Sequence, residues 1–381
     1  MQKPSLYVPA NAQRGGHRQP PPLSRAHAHA PEPVQTHAAA TDAGAKMSGP
    51  LKHLRTVGAK SGRATMHAQA TVGENGLSHV VVQAPYLPEH VLREFIDLMQ
   101  PAGSVVRLPL ATGDAYRLHD VGDMTRERIA QLEALGARRH VDTAVVPGWR
   151  SIDSVGLVAS DMDSTLILGE CIDAIARKWQ SILTARGVEG RDIGAEIEAI
   201  TAQAMRGNID FATSLKQRVA LLKGFPVSAL AEVYREHVEL TPGAREMLAG
   251  FHHAGAQVGV LSGGFTHFTE PLKRDLGLDF QAANVLETDG EVLTGRVVGD
   301  VFDALAKAGQ VRARRPSGRM AVAVGDGSND ADMLAEAEVG VAFHAKDGVA
   351  DAARERGGTI YQVKHTGLDA LLNLFLSRPR A

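Results

Sequence analysis

Three short apolar runs, each broken off by a polar turn and followed by a helical pattern, constrain this chain more than any other feature. VGLVAS runs into Asp161-Met162-Asp163-Ser164-Thr165, QVGVL into Ser262-Gly263-Gly264, and MAVAV into Gly325-Asp326-Gly327-Ser328-Asn329-Asp330. Short, nearly continuous apolar runs alternating with helices read as buried strands of a parallel sheet. The fold class is therefore α/β. Open sheets of this kind take their ligands at the carboxyl ends of the strands, where all three polar turns fall.

Residues two apart in an extended chain point the same way, so Asp161 and Asp163 converge on one small volume. A lone pair of this kind also occurs as a solvated turn. Here it does not stand alone. Ser262 brings a hydroxyl, and the turn after it brings backbone N–H groups suited to a phosphate oxygen. Asp326 and Asp330 bring two more carboxylates, with glycines that let the backbone turn tightly. Lys307 sits in the helical pattern VFDALAKAG. Clustered acids with a hydroxyl and an amine suit Mg²⁺-assisted phosphoryl transfer: the cation offsets the repulsion, and the other groups neutralise phosphoryl oxygens.

DMDST, SGG, Lys307 and GDGSNDADM resemble the four ordered motifs of haloacid-dehalogenase-superfamily phosphatases, from Val155 to the C-terminus. More narrowly, DMDSTLILGECIDAIA, AMRGNIDFATSLKQRVALLKG, LTPG, LSGGFTHF and TGRVVGDVFDALAKA resemble phosphoserine phosphatases. The resemblance implies a Rossmann-like core with a parallel sheet and a helical cap, Mg²⁺ as cofactor, and O-phospho-L-serine as substrate. It implies Asp161 as the nucleophile that forms an aspartyl-phosphate and Asp163 as general acid and base. It assigns Mg²⁺ to Asp161, the backbone carbonyl of Asp163 and Asp326, with Asp330 supporting metal waters. Ser262, the Gly263 N–H and Lys307 would grip the phosphoryl group, and Asn329 would touch the phosphate or its water shell.

Residues 169 to 240 are mainly helical in pattern and too long for a simple crossover, so a cap over the strand ends is expected. By the same resemblance Glu170 would read the serine ammonium and Arg218 its carboxylate, with Phe211 and Met205 walling the pocket. Phe211 and Arg218 are seven apart and share a face if the helix holds. Taken alone, Arg218 reads as an ordinary solvated arginine. KWQSILTARGVEGRDIGAEIEAI is longer than the family pattern by about a dozen residues, and the basic run Arg312, Arg314, Arg315 reads as a solvated helix end. Two rival activities are a phosphotransferase passing phosphate to an alcohol such as homoserine, and a non-catalytic amino-acid-binding regulator. The intact acid, hydroxyl and lysine set argues against the second.

Upstream, LSHVVVQAP, PEHVLREFIDLMQ, SVVRLPL, AYRLHDV, TRERIAQLEALGA and RHVDTAVVP read in the order βαββαβ, with Val91, Phe95, Ile96 and Met99 on one helix face. Thr125 should cap the second helix and Gly136 should stand near its end. This is the order of an α+β, ferredoxin-like (ACT-like) domain, expected over residues 76–150, with the phosphatase domain over 151–381. Residues 1–75 hold 9 Lys and Arg against 3 acids, 8 of 18 prolines, 6 of 16 histidines and one aromatic, Tyr7. Such a segment buries too little apolar surface to offset its ordering entropy, so a disordered tail is expected. His17, His27, His29 and His37 there read as composition rather than a metal site, no Arg-rich amphipathic stretch supports a transit peptide, and Met47 and Met66 remain alternative starts.

A net charge of −2 gives no reason to expect nucleic acid. The single cysteine, Cys171, excludes an internal disulfide framework and reads as a packing residue. The longest nearly apolar stretch, Leu368 to Leu376, falls far short of the roughly 20 residues a membrane span needs, and no signal peptide opens the chain. A cytoplasmic enzyme with a small-molecule substrate is expected, with a homodimer as its assembly.

Overall fold

The computed structural model describes residues 77–188 and 190–377. The expected tail over residues 1–75, with the histidine and start-site readings, lies outside the described residues. Among the described residues no helix is long and apolar enough to cross a membrane.

The first six elements follow the expected order: β1 (Ser78–Ala84), α1 (Glu89–Met99), β2 (Val105–Leu108), β3 (Asp114–Leu118), α2 (Arg126–Arg139) and β4 (Asp142–Pro147). They form one antiparallel sheet in the spatial order β2-β3-β1-β4. Thr125 caps α2 by accepting from the Arg128 N–H. Gly136 stands near the end of that helix, as expected. It is buried inside it, where a Cβ would lie 2.8 Å from the Val141 carbonyl oxygen, and His140 at φ 54° makes the left-handed cap. The glycine serves close approach of α2 to the following strand, not termination.

Alternate residues of β1 face opposite ways, and both faces are covered. Val80 and Val82 share a core with Phe95, Met99, Leu132 and Leu135 of the two helices. Val81, Ala144 and Val146 instead join the main core, together with Leu368, Leu371 and Leu374 of a 3₁₀ segment, Leu368–Leu374. Two buried carboxylates clasp this junction in opposite directions. Asp142 accepts from the N–H groups of Lys364, His365 and Thr366 and from the Thr366 hydroxyl at 2.8–3.1 Å. Asp369 accepts from the Ala111 and Thr112 N–H groups and from the Thr112 hydroxyl. Removing a carboxylate that satisfies three backbone donors leaves them desolvated and unpaired. Asp142→Ala is therefore expected to cost about 2–4 kcal/mol in urea unfolding, with Asp142→Asn costing less. A cost below that of an ordinary surface substitution would refute the clasp.

The second sheet holds seven strands in the order β11-β10-β9-β5-β6-β7-β8. Its central strand is β5 (Val155–Ser160), flanked by β6 (Gln257–Phe265) and β9 (Met320–Gly325); β7 (Phe280–Asp289), β10 (Val339–Phe343) and β11 (Ile360–Val363) extend it in parallel. β8 (Val292–Val298) adds an antiparallel edge. Helices cover both faces, which is why β5 is buried throughout. Val158, Val258, Val260, Val322 and Val324 share a core with α7 (Ala244–His253) and α8 (Thr266–Leu276). Leu157, Ala159, Ala321 and Ala323 share one with α9 (Ala304–Arg314), α10 (Ala331–Glu336) and α11 (Val349–Glu355).

Four helices lie between β5 and α7: α3 (Cys171–Ala185), α4 (Ile193–Met205), α5 (Phe211–Ala220) and α6 (Val227–His237). The stretch read as longer than the family pattern runs from within α3 into α4. The β7–β8 hairpin braces this cap, because Gly224 and Phe225 exchange backbone bonds with Leu293. The basic run on α9 is not merely solvated. Arg312 and Arg315 pair with Glu336 and Glu338, and the Arg314 guanidinium lies 4.6 Å from the Phe280 ring centroid.

Candidate active site

β5, β6 and β9 deliver their polar ends to one edge. Asp161 follows β5 directly, and its N–H donates to the Val324 carbonyl of β9, which ties the two strand ends together. The chain then turns sharply, with Ser164 at φ 55°. Ser262, Gly263 and Gly264 were expected in a turn but lie within β6, which continues to Phe265 with a register shift against β7. The two glycines are needed bare. A Cβ on Gly264 would lie 2.8 Å from Asp163 Oδ2, and one on Gly263 would lie 2.9 Å from Phe211 Cζ.

Lys307 is fully buried on α9, whose helix starts at Ala304 with Asp303 as its cap rather than at Val301. Its Nζ donates to Asp161 Oδ1 and Asp330 Oδ1, both at 2.7 Å. Burial alone would lower the ammonium's pKa, but Asp161 and Asp330 outweigh it and hold it above the usual lysine range. Oxygens of Asp161, Asp326 and Asp330 all lie within 4.8 Å of one another. Burial, reinforced by Asp330, pushes Asp161 well above the carboxylate range despite Lys307, and pushes Asp326 up as well. Buried acids in excess of buried ammonium groups, offering only oxygen, form the donor set of a hard divalent cation.

Asp163 stands beside this triad. Its Oδ1 accepts from the Cys171 N–H at 2.8 Å, and its Oδ2 accepts from the Ser262 hydroxyl at 3.4 Å. Burial, with Glu170 nearby, raises it to about 7. Cys171 is buried and its thiol is pushed well up by burial and by Asp163, the reverse of an activated nucleophile.

The cap brings Glu170, Phe211 and Arg218 to the same edge. Glu170 accepts from the Ser164 hydroxyl at 3.0 Å. α5 holds, so Phe211 and Arg218 share a face. Arg218 is lowered by burial and pulled back up by Glu170, Asp173 and Asp163, which places its charge among those acids. Asn329 Nδ2 lies 3.6 Å from where a Gly263 Cβ would stand. Met205, at the end of α4, is 66% exposed.

Two further side chains join the site. The buried Thr165 hydroxyl donates to Asp326 Oδ1 at 3.0 Å. Lys346 Nζ lies 3.4 Å from Asp326 Oδ2, and its N–H donates to the Asp326 carbonyl. Lys346 was readable in principle, because it follows β10 at the same sheet edge.

The haloacid dehalogenase-like hydrolase family matches residues 155–338. The chain is 44% identical over 230 residues to a phosphoserine phosphatase from Polaromonas sp., a match covering 57% of this chain and 89% of that protein. It is 42% identical over 250 residues to one from Albidiferax ferrireducens, covering 61% and 98% respectively. The crystal structure of a probable phosphoserine phosphatase from Vibrio cholerae superposes with a TM-score of 0.61 at 31% identity, over 78% of this chain and 86% of that one.

Proposed function

This chain belongs to the phosphoserine phosphatases of the haloacid dehalogenase-like hydrolases, and from that membership we infer that it hydrolyses O-phospho-L-serine to L-serine and phosphate. The reading rests above all on the buried Asp161–Lys307–Asp330 bridge beside Asp163 and Ser262.

Asp161 attacks phosphorus, and its carboxylate takes the phosphoryl group as serine leaves. Lys307, bonded to Asp161, stands where it can neutralise phosphoryl charge, together with Ser262 and the Gly263 N–H. Asp163, with a pKa near neutrality, can give its proton to the departing serine oxygen and then take one from the water that opens the aspartyl-phosphate. Asp161, Asp326 and the Asp163 carbonyl would hold Mg²⁺, with Asp330 supporting its waters. When bound, the ion would offset the acids' mutual repulsion and withdraw charge from the phosphoryl oxygens. Glu170 and Arg218 would take the ammonium and carboxylate of the substrate, with Phe211 and Asn329 bounding the phosphate end.

We divide the chain into an ACT-like domain over residues 76–150 and a phosphatase domain over 151–381, with a cap at about 169–240. The β2-β3-β1-β4 order with two helices supports the first assignment.

Phosphate release from a panel of phosphorylated metabolites with Mg²⁺ present tests the activity, and phosphoserine should lead. Arg218 tests the selectivity. Truncating one partner of a buried charge pair costs about 2–5 kcal/mol, or about 30-fold to several-thousand-fold in kcat/KM. Arg218→Ala should lose that factor on phosphoserine and change little on p-nitrophenyl phosphate. Equal losses on both would mean that Arg218 reads no carboxylate.

A further inference from the structure

A cleft of about 360 Å³ opens beside the junction that Asp142 clasps, with α2 and β4 on one side and β11 on the other. Ile129, Leu132, Val141, Val145 and Ile360 give it apolar walls. Arg150, only 4% exposed, also lines it. The guanidinium stacks 5.2 Å from the Tyr361 ring centroid and 5.7 Å from that of Trp149. One Nη donates to the Tyr361 hydroxyl, which donates onward to the Val145 carbonyl, and Nε has no partner. Among the described residues no carboxylate lies within ion-pair distance of Arg150.

The nearby acids do not supply the missing charge. Asp142 is engaged by the backbone of residues 364–366, and Glu133, which lines the cleft one turn before Ala137, makes no ion pair with Arg150. Lys364 and His365 add basic groups to the rim. A buried, always-charged guanidinium without an anion is costly, and its planar fork fits a carboxylate. The volume falls in the range of small-ligand sites, about 300–1,000 Å³.

We propose that this cleft binds a small amphipathic carboxylate, its anionic end on Arg150 and its apolar body between α2 and β11. A bare phosphate would forgo the apolar walls and surrender its hydration there.

Calorimetry on the full chain with 3-phenylpropionate, 3-phenylpropanamide and inorganic phosphate tests this. The acid should bind saturably, and the isosteric amide about tenfold more weakly or worse. Arg150→Met should weaken the acid by about the same factor and leave the amide unchanged. Ala137→Phe, at an exposed position of α2 that reaches the cleft, should abolish binding of both while phosphoserine hydrolysis stays normal. Phosphate, which the catalytic site also takes, should bind wild type and Ala137→Phe alike. The proposal is overturned if the amide matches the acid, if Ala137→Phe leaves binding intact, if phosphate binding falls in Ala137→Phe, or if the acid does not bind saturably.

Discussion

Asp161→Asn is expected to lower turnover of O-phospho-L-serine by about 10⁶-fold, the scale of loss when a covalent nucleophile is removed. The amide is nearly isosteric with the carboxylate, and its oxygen can still accept from Lys307, so the geometry should survive. What it lacks is an anionic oxygen able to form and then release a phosphate ester. The fold should not suffer. Asp161 sits buried against Asp330 and Asp326, which raise its pKa, so neutralising it relieves repulsion, and the melting temperature should hold or rise. Wild-type-like phosphate release from a contamination-controlled Asp161→Asn preparation would sink the covalent mechanism.

Exhaustive chelation is expected to lower the rate by at least about 10³-fold, the equivalent of several kcal/mol of charge stabilisation. Mg²⁺ should restore it and Ca²⁺ should not. Mg²⁺ holds a compact octahedron, whereas Ca²⁺ takes more oxygens at longer distances and can engage both oxygens of Asp161, leaving no lone pair aimed at phosphorus. Mg²⁺ should also raise the melting temperature of the chelated protein, since it binds the folded triad and not the unfolded chain. Full activity without divalent ions would mean that Asp161, Asp326 and Asp330 have been misread.

The chemistry was legible because strand ends carry it. Asp161, Ser262 and Asp326 each follow an apolar run, and the parallel pairing of β5, β6 and β9 brings those ends together without further instruction. The β7–β8 hairpin was equally readable and was missed. Asp289-Gly290 stands between two strand patterns, with Gly290 at φ 62°, a strong short-range hairpin signal. Gly136 was correctly placed near a helix end, but its packing reason lies in residues 141–143 and could not be read locally. Met205 could be placed only by family likeness, and the end of α4 leaves it facing solvent. The clasps of Asp142 and Asp369 had no local signal at all. Each joins residues more than two hundred positions apart, and both acids look like ordinary strand-edge or helix polar residues in the sequence.

That junction also bears on the order in which the chain can be completed on a ribosome. The second face of the first sheet meets residues 368–375, and Gln83 bonds Asn373 across a separation of 290 positions. At about 5–20 residues per second, the rate at which domains emerge during synthesis, the apolar face of Val81, Ala144 and Val146 waits roughly 10–60 seconds for its cover. During that interval the early domain can pair its strands but cannot close its underside. A chaperone that holds exposed apolar surface has its longest opportunity there.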